Sequence, residues 1–394
     1  MEHIQKTTTF TNVVNYLYLF YAINYAWLST SLFAVDSRGY LLSFMTLVVV
    51  MFNLKSLVLI ARQRVYKFWS IWACFAFINY YLTWPPVEEI IFPILFRYIF
   101  VPLVCMLLIA SEFKENVNRA LFIISIIFLI YSFVAPIVDP NVFVKYEGVD
   151  SLLGNSYALV STITLFIFVL LFYKKKVNVL VFVILTIAIM SLIVLTGTRK
   201  AFFAGIIVLF FYIISLFDFK NIKSYLYVCL FLTIGCYGYQ YAIENTIMGE
   251  RMVLLEEQAD DNLPIGAPEY LHYLGDRSPH YYYGWAEFLE KPILGHGPRQ
   301  SRIGGPTEPA YIHSEYIAQL SDNGIIGFAF FVLFYMSVCR RIQYNYRQNR
   351  RYGLVLYGGF FAIIFMNFTT WTWDMPAILI ALGIMAIPYE LIKN

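Results

Sequence analysis

The stretch DRSPHYYYGWAEFLEKPILGHGPRQSRIGGPTEPAYIHSEYIAQLSDNGIIGF, residues 276–328, is the long polar region of a sequence that is otherwise strongly apolar. Four of the five histidines and seven of the fifteen prolines lie in it or shortly before it. Histidines and prolines are therefore concentrated in one part of the chain. We expect the chemistry of the protein to be located here, and the remaining residues to hold this stretch in place.

The composition excludes a water-soluble globule. Of the 394 residues 60% are hydrophobic and only 13% are charged, with a mean hydropathy of +0.66, which is typical of a chain embedded in a bilayer. The five cysteines lie in or at the end of apolar runs without metal-ligand spacing, so we expect neither a disulfide framework nor a structural zinc site. A net charge of +3 is too small to indicate nucleic-acid binding.

The apolar runs predict an all-α, polytopic membrane protein with about twelve transmembrane helices in a single domain, residues 1–394. A helix needs about 20 mostly apolar residues to cross the hydrocarbon core. The runs that meet this condition are residues 13–35, 40–60, 66–83, 90–110, 120–138, 152–173, 178–196, 200–217, 224–243, 312–338, 353–371 and 375–390.

The distribution of lysine and arginine predicts the orientation. With both termini in the cytoplasm, seventeen of the 28 basic residues fall on the cytoplasmic side, as positive-inside topology requires. Residues 244–311, between the ninth and tenth spans, then form a large extracytoplasmic loop with 11 acidic and 5 basic residues. Within it, Ser278-Pro279 is typical of a helix start and Pro292 of a helix end. We expect a short amphipathic helix between them, lying on the membrane face.

Two arginines border this predicted face. Arg199 lies in the short turn Thr196–Lys200 between two spans, where a charge either snorkels to lipid headgroups or pairs with an anion. Arg277 directly precedes the predicted helix start at Ser278, a favourable position for a phosphate, although a salt bridge to a nearby acid explains it equally well. Together the two guanidinium groups could clamp a pyrophosphate.

His313 lies at the head of the tenth span, with Glu315 two residues later. An imidazole there could take a proton from a sugar hydroxyl, while the alternative is a structural hydrogen bond. His296, between two glycines, is a secondary candidate that a turn also explains. Tyr311 could stack on a sugar, or could belong to an interfacial tyrosine belt. Arg97, inside the fourth span, could contact a lipid-linked phosphate.

The order of these motifs resembles the O-antigen ligase and Wzy-type polymerase superfamily. The motifs are Thr196-Gly197-Thr198-Arg199 at a span end, Arg277 with Trp285, the segment Pro292–Gly297, and His313 followed by Asn323–Phe328. The resemblance covers roughly residues 196–330. It departs from the family pattern at Thr198, where serine is usual, at Ser314, where asparagine is frequent, and at His296, where an apolar residue is usual.

The resemblance implies a GT-C-like glycosyltransferase in the bacterial inner membrane that takes part in O-antigen and lipopolysaccharide biosynthesis. It implies that Arg199 and Arg277 bind the diphosphate of an undecaprenyl-linked glycan and that His313 activates or positions the acceptor hydroxyl. We expect an inverting polysaccharide polymerase without cofactor or metal. Its partners would be the lipid-linked oligosaccharide, membrane lipids and a chain-length regulator protein. The alternatives are an O-antigen ligase with a lipid A core acceptor, and a flippase for the same lipid-linked sugar.

Overall fold

The computed structural model describes residues 9–31, 37–54, 63–82, 114–138, 152–174, 176–196, 198–217, 278–298, 312, 314–368 and 375–389, with single positions between 222 and 244. Every regular element of appreciable length in these ranges is an α-helix, in agreement with the predicted class. The helices are α1 (Thr9–Ser31), α2 (Ser37–Phe52), α3 (Arg64–Leu82), α4 (Lys114–Val138), α5 (Leu152–Tyr173), α6 (Val179–Leu195), α7 (Arg199–Leu216), α8 (Ser278–Glu290), α9 (Glu315–Gln348), α10 (Arg350–Asn367) and α11 (Pro376–Met385).

Ten of the twelve predicted spans coincide with described helices, and the majority of their ends agree to within a few residues. The prediction for 90–110 lies outside the described residues, and that for 224–243 lies largely outside them. Three helical segments of the described chain are long and apolar enough to cross a membrane by length and composition: Asn118–Ile137, Arg199–Leu216 and Glu315–Gln348. Most of the predicted loop 244–311 is also outside the described residues, apart from α8 and the segment that follows it.

The core of the bundle surrounds α5. Residues 158–171 of this helix are buried without interruption, and eleven of these fourteen residues are apolar. A helix that is hydrophobic all round has no face to present to an aqueous phase and is found inside a larger assembly. α7 and α10 run antiparallel beside it, as the ring pairs Phe203–Phe365 and Phe211–Phe361 show. This packing fixes where the end of α10 meets the start of α7.

α9 is broken at Gly324, whose φ of 60° and ψ of −169° are not helical. Tyr316 and Phe331 lie fifteen residues apart, which is about 22 Å along a straight helix. Their ring centroids are nevertheless only 6.3 Å apart. Residues 315–323 therefore fold back along residues 325–331. The prediction of one continuous helix at 312–338 was wrong in this respect: the long straight helix is residues 325–348, and 315–323 form a separate helix that folds back on it.

The segment 292–297, which follows α8, supplies hydrogen-bond partners for the backbone at this reversal. Without water, an exposed peptide group inside a membrane protein is costly, so a broken helix must find other partners. Four backbone hydrogen bonds provide them: His296 N to Ser321 O at 2.9 Å, Gly297 N to Asp322 O at 2.7 Å, Ile325 N to Pro292 O at 2.8 Å, and Ile326 N to Ile293 O at 3.4 Å. The segment thereby replaces the helical bonds that the break removes.

α3 completes the contact through one side chain. Asn79 Nδ2 donates to the carbonyl oxygens of Leu294, at 2.6 Å, and Asp322, at 3.0 Å. One amide group thus bonds both to the segment after α8 and to the reversal of α9. α3 and residues 325–348 run antiparallel below this point, with Trp69 against Phe334 at 4.6 Å between ring centroids.

Candidate functional site

Three elements that carry the predicted functional motifs meet at the C-terminal end of α10, residues 364–368. Phe203, one turn into α7, packs against Phe365 with 6.2 Å between ring centroids. The Tyr281 hydroxyl of α8 donates to the carbonyl oxygen of Phe368 at 3.3 Å. The Tyr316 hydroxyl of α9 donates to the carbonyl oxygen of Ile364 at 3.1 Å. The starts of α7, α8 and α9 are therefore gathered at one end of the bundle.

Arg199 is the first residue of α7 and is half-buried. The turn before it is held by two threonine hydroxyls: Thr196 donates to the carbonyl oxygen of Ile193 at 2.7 Å, and Thr198 donates to that of Thr196 at 3.3 Å. Both threonines are buried. The local sequence therefore fixes the backbone position of Arg199 at the end of this turn.

Arg277, His313, Tyr311 and Arg97 lie outside the described residues. The structure does describe Ser278, which follows Arg277 as the first residue of α8. It also describes Ile312 and Ser314, which flank His313. The roles expected of these four residues remain predictions.

The first turn of α9 contains a buried acid. Glu315 has no exposed surface, and its Oε1 accepts a hydrogen bond from Gln319 Nε2 at 2.9 Å. Gln319 Oε1 in turn accepts from Trp72 Nε1 of α3, at 3.1 Å, and from Asn323 Nδ2, at 3.0 Å. Four polar side chains thus form one connected hydrogen-bonded network inside an apolar bundle.

His296 has a well-defined structural environment. Its Nε2 donates to the carbonyl oxygen of Glu287, near the end of α8, at 2.9 Å, and lies 3.8 Å from Glu290 Oε2. The Glu287 carboxylate accepts a hydrogen bond from the hydroxyl of Ser321, at the reversal of α9, at 2.7 Å. These contacts, with the backbone bond from His296, tie the end of α8 to α9. They fit the turn interpretation of His296.

The exposed apolar face of α8 fits the predicted position of this helix on the membrane face. Trp285 is 48% exposed and Leu289 is 61% exposed, and Ile293 beyond the helix is 62% exposed. On its other side α8 packs against Ile312 and Ile317, which approach Gly284 closely. The described residues contain no cluster of three or more histidine, cysteine, aspartate or glutamate residues able to hold a metal ion.

Sequence reasoning missed the reversal of α9 and its partners Asn79 and Trp72. One signal was present: residues 321–324, Ser-Asp-Asn-Gly, place four turn-forming residues within the span predicted at 312–338. The partners in α3 are about 240 residues earlier in the chain, and no local pattern relates them to α9.

The described residues thus form a helical bundle, consistent with a membrane protein, that has a polar site at one end. A family model described as O-antigen ligase matches residues 184–332. The match includes Arg199, Arg277 and His313 and supports the O-antigen ligase and Wzy-type family, whose members are glycosyltransferase-like enzymes acting on lipid-linked glycans. No curated protein matches the chain significantly.

Proposed function

We propose that this protein is a polysaccharide polymerase of the bacterial inner membrane. It transfers a growing glycan from undecaprenyl diphosphate to a lipid-linked repeat unit at the periplasmic face. The observation that carries the proposal is that the starts of α7, α8 and α9 meet at residues 364–368. Each start lies in or next to a motif of the matched family region. These starts are Arg199, the residue after Arg277 and the residues around His313.

The chemistry requires charge compensation more than covalent catalysis. The bond between the anomeric carbon and the diphosphate oxygen breaks, and the acceptor oxygen forms a new bond to that carbon with inversion. Two guanidinium groups, from Arg199 and Arg277, neutralise the negative charge that develops on the leaving diphosphate, so no metal is needed. His313 takes the hydroxyl proton or orients the hydroxyl.

A second function, O-antigen ligase, is favoured by the description of the matched family model. The donor and the proposed site would be the same. Only the acceptor would differ, because a ligase transfers the glycan to a lipid A core instead of to another repeat unit.

Purified protein in lipid nanodiscs, supplied with a synthetic lipid-linked repeat unit alone, tests the proposal. We expect a ladder of polymer from the wild-type protein and almost none from Arg199→Ala or Arg277→Ala. Arg277→Lys keeps the charge but loses the planar fork, and should also lose most activity. Arg347→Ala, an exposed arginine near the far end of α9, is the matched control and should retain full activity.

The His313 variants separate two roles in the same assay. His313→Ala should lower the rate by about 10²–10⁴-fold. His313→Gln can donate a hydrogen bond but cannot take a proton at neutral pH, so near-full activity in this variant would leave only an orienting role. If the wild-type protein forms product only when a lipid A core acceptor is added, the protein is a ligase. Full activity in both Arg277→Ala and His313→Ala would contradict the site assignment.

A further inference from the structure

The donor and acceptor of each hydrogen bond in the network around Glu315 follow from the chemistry of the side chains. The indole N–H of Trp72 can only donate, so the Gln319 atom at 3.1 Å from it must be the carbonyl oxygen. That oxygen also accepts from Asn323 Nδ2. The amide nitrogen of Gln319 is consequently turned towards Glu315, and Glu315 Oε1 accepts its hydrogen. Two donors from α3 and α9 thus orient the single glutamine that holds the acid.

Stability alone does not explain this network. A buried carboxylate is costly to remove from water, and well-packed apolar side chains of similar volume are often neutral or stabilising replacements. Polar residues inside a membrane bundle are expensive and usually functional. Glu315, Gln319 and Asn323 are all at most 1% exposed, so the hydrogen bonds among them take the place of water at the atoms that form them.

The first turn of α9 is held from three directions. Gln319 attaches it to Trp72 of α3, and the Tyr316 hydroxyl attaches it to the end of α10. Ile317 packs closely on Gly284 of α8. The helix begins at Glu315, so within the described residues no preceding helical turn holds it from its N-terminal side. Its position therefore depends on these side-chain contacts together with the backbone hydrogen bonds at the reversal, and Gln319 provides its polar link to α3.

We propose that Glu315 is a positioning residue for glycan transfer: its hydrogen bond from Gln319, which Trp72 orients, fixes the first turn of α9 at the site. This inference rests on the proposed function, since it assigns the turn to the acceptor side of that reaction. A displacement of about 1 Å in a reacting group can reduce a rate by about 10²-fold. Glu315 acts here through the geometry of the turn and not by taking a proton.

Two substitutions of Glu315 test this role, with kcat and KM measured for donor and acceptor on monodisperse, folded protein. Glu315→Gln retains an acceptor oxygen for Gln319 and should keep kcat within about threefold of wild type. Glu315→Met has a similar length but no acceptor, and should lower kcat about 10- to 100-fold. Donor KM should stay within about twofold in both, because the turn and not the diphosphate site is disturbed.

Trp72→Phe provides an independent measurement if Glu315→Met fails to fold. The ring contacts of Trp72 with Trp69 and Phe331 can be kept by phenylalanine, while the donor to Gln319 is lost. We expect a fall in kcat of about tenfold at unchanged donor KM. Ser337→Ala removes a buried hydrogen bond elsewhere on α9, from the Ser337 hydroxyl to the carbonyl oxygen of Phe334 at 2.6 Å, and is the matched control, with kcat unchanged.

Each other outcome overturns the inference in a distinct way. Equal loss of kcat in Glu315→Gln and Glu315→Met would make the charge, not the geometry, the essential property. If Glu315→Met and Trp72→Phe keep the wild-type kcat and lose only thermal stability, the network is purely structural. A raised donor KM would place Glu315 at the diphosphate. If wild-type protein transfers no glycan from any lipid diphosphate donor, the proposed function fails first, and the positioning role fails with it.

Discussion

Gly295 and Gly324 meet where the segment 292–297 crosses the reversal of α9. Both have positive φ, 72° and 60°. A Cβ at Gly324 would overlap the carbonyl oxygen of Ile293, and one at Gly295 would lie 2.5 Å from the carbonyl group of Asp322. The four backbone hydrogen bonds of this contact form only when the two segments of backbone lie this close together. Glycine is therefore required at both positions by conformation and by space.

Gly324→Ala should destabilise the protein strongly. The backbone angles of Gly324 are essentially restricted to glycine, and holding another residue there costs about 1–3 kcal/mol before the overlap with Ile293 is counted. We expect a clear fall in the thermal unfolding midpoint in detergent, measured by tryptophan fluorescence. Gly238→Ala is the control, because a Cβ there meets nothing within 4 Å. An unchanged midpoint for Gly324→Ala would mean that the reversal at Gly324 is wrong.

At the scale of elements, the sequence predicted α8 well because its boundaries are local. Ser278-Pro279 marks the start and Pro292 prevents continuation, and the helix observed is Ser278–Glu290. The reversal of α9 could not be predicted in the same way. Residues 325–338 are almost all apolar and dominate the mean hydropathy of 312–338, so hydropathy treats the whole segment as one run. The groups that stabilise the break come from α3 and from the segment after α8, which lie far away in sequence.

The packing of α8 on the folded-back part of α9 predicts a disulfide. Gly284→Cys and Ile317→Cys should cross-link under mild oxidation, because a Cβ at position 284 would lie 2.7 Å from Ile317 Cγ2. The native cysteines are first replaced by serine, and a protease site is inserted between Gly304 and Gly305. If the disulfide has formed, the two fragments stay together after cleavage. Gly284→Cys with Tyr344→Cys, near the far end of α9, is the unlinked control. Cross-linking of the control alone would contradict this packing.

At the scale of the whole molecule, most of the described basic residues outside the site lie at the opposite end of the bundle. Three contacts join helix ends there. Arg341 Nη2 donates to Gln63 Oε1 at 3.1 Å, linking α9 to the start of α3. Lys174 Nζ donates to Asn118 Oδ1 at 3.3 Å, linking the end of α5 to α4. Tyr173 packs on Tyr352 of α10 with 5.7 Å between ring centroids. Lysines and arginines from five helices therefore share one end.

This arrangement predicts that the basic end faces the cytoplasm and the site end faces outward. Arginine and lysine near span ends resist translocation, and Arg340, Arg341, Arg347, Arg350 and Arg351 surround the connection between α9 and α10. Alkaline phosphatase is active only outside the cytoplasm, so a fusion after Gln348 should be inactive and one after Asp261 active. A fluorescent protein that folds only in the cytoplasm should give the reverse pattern at the same two positions. An active phosphatase at Gln348 would place the site in the cytoplasm. A glycan carried on a periplasmic lipid diphosphate could then not reach the end of α10 where α7, α8 and α9 begin.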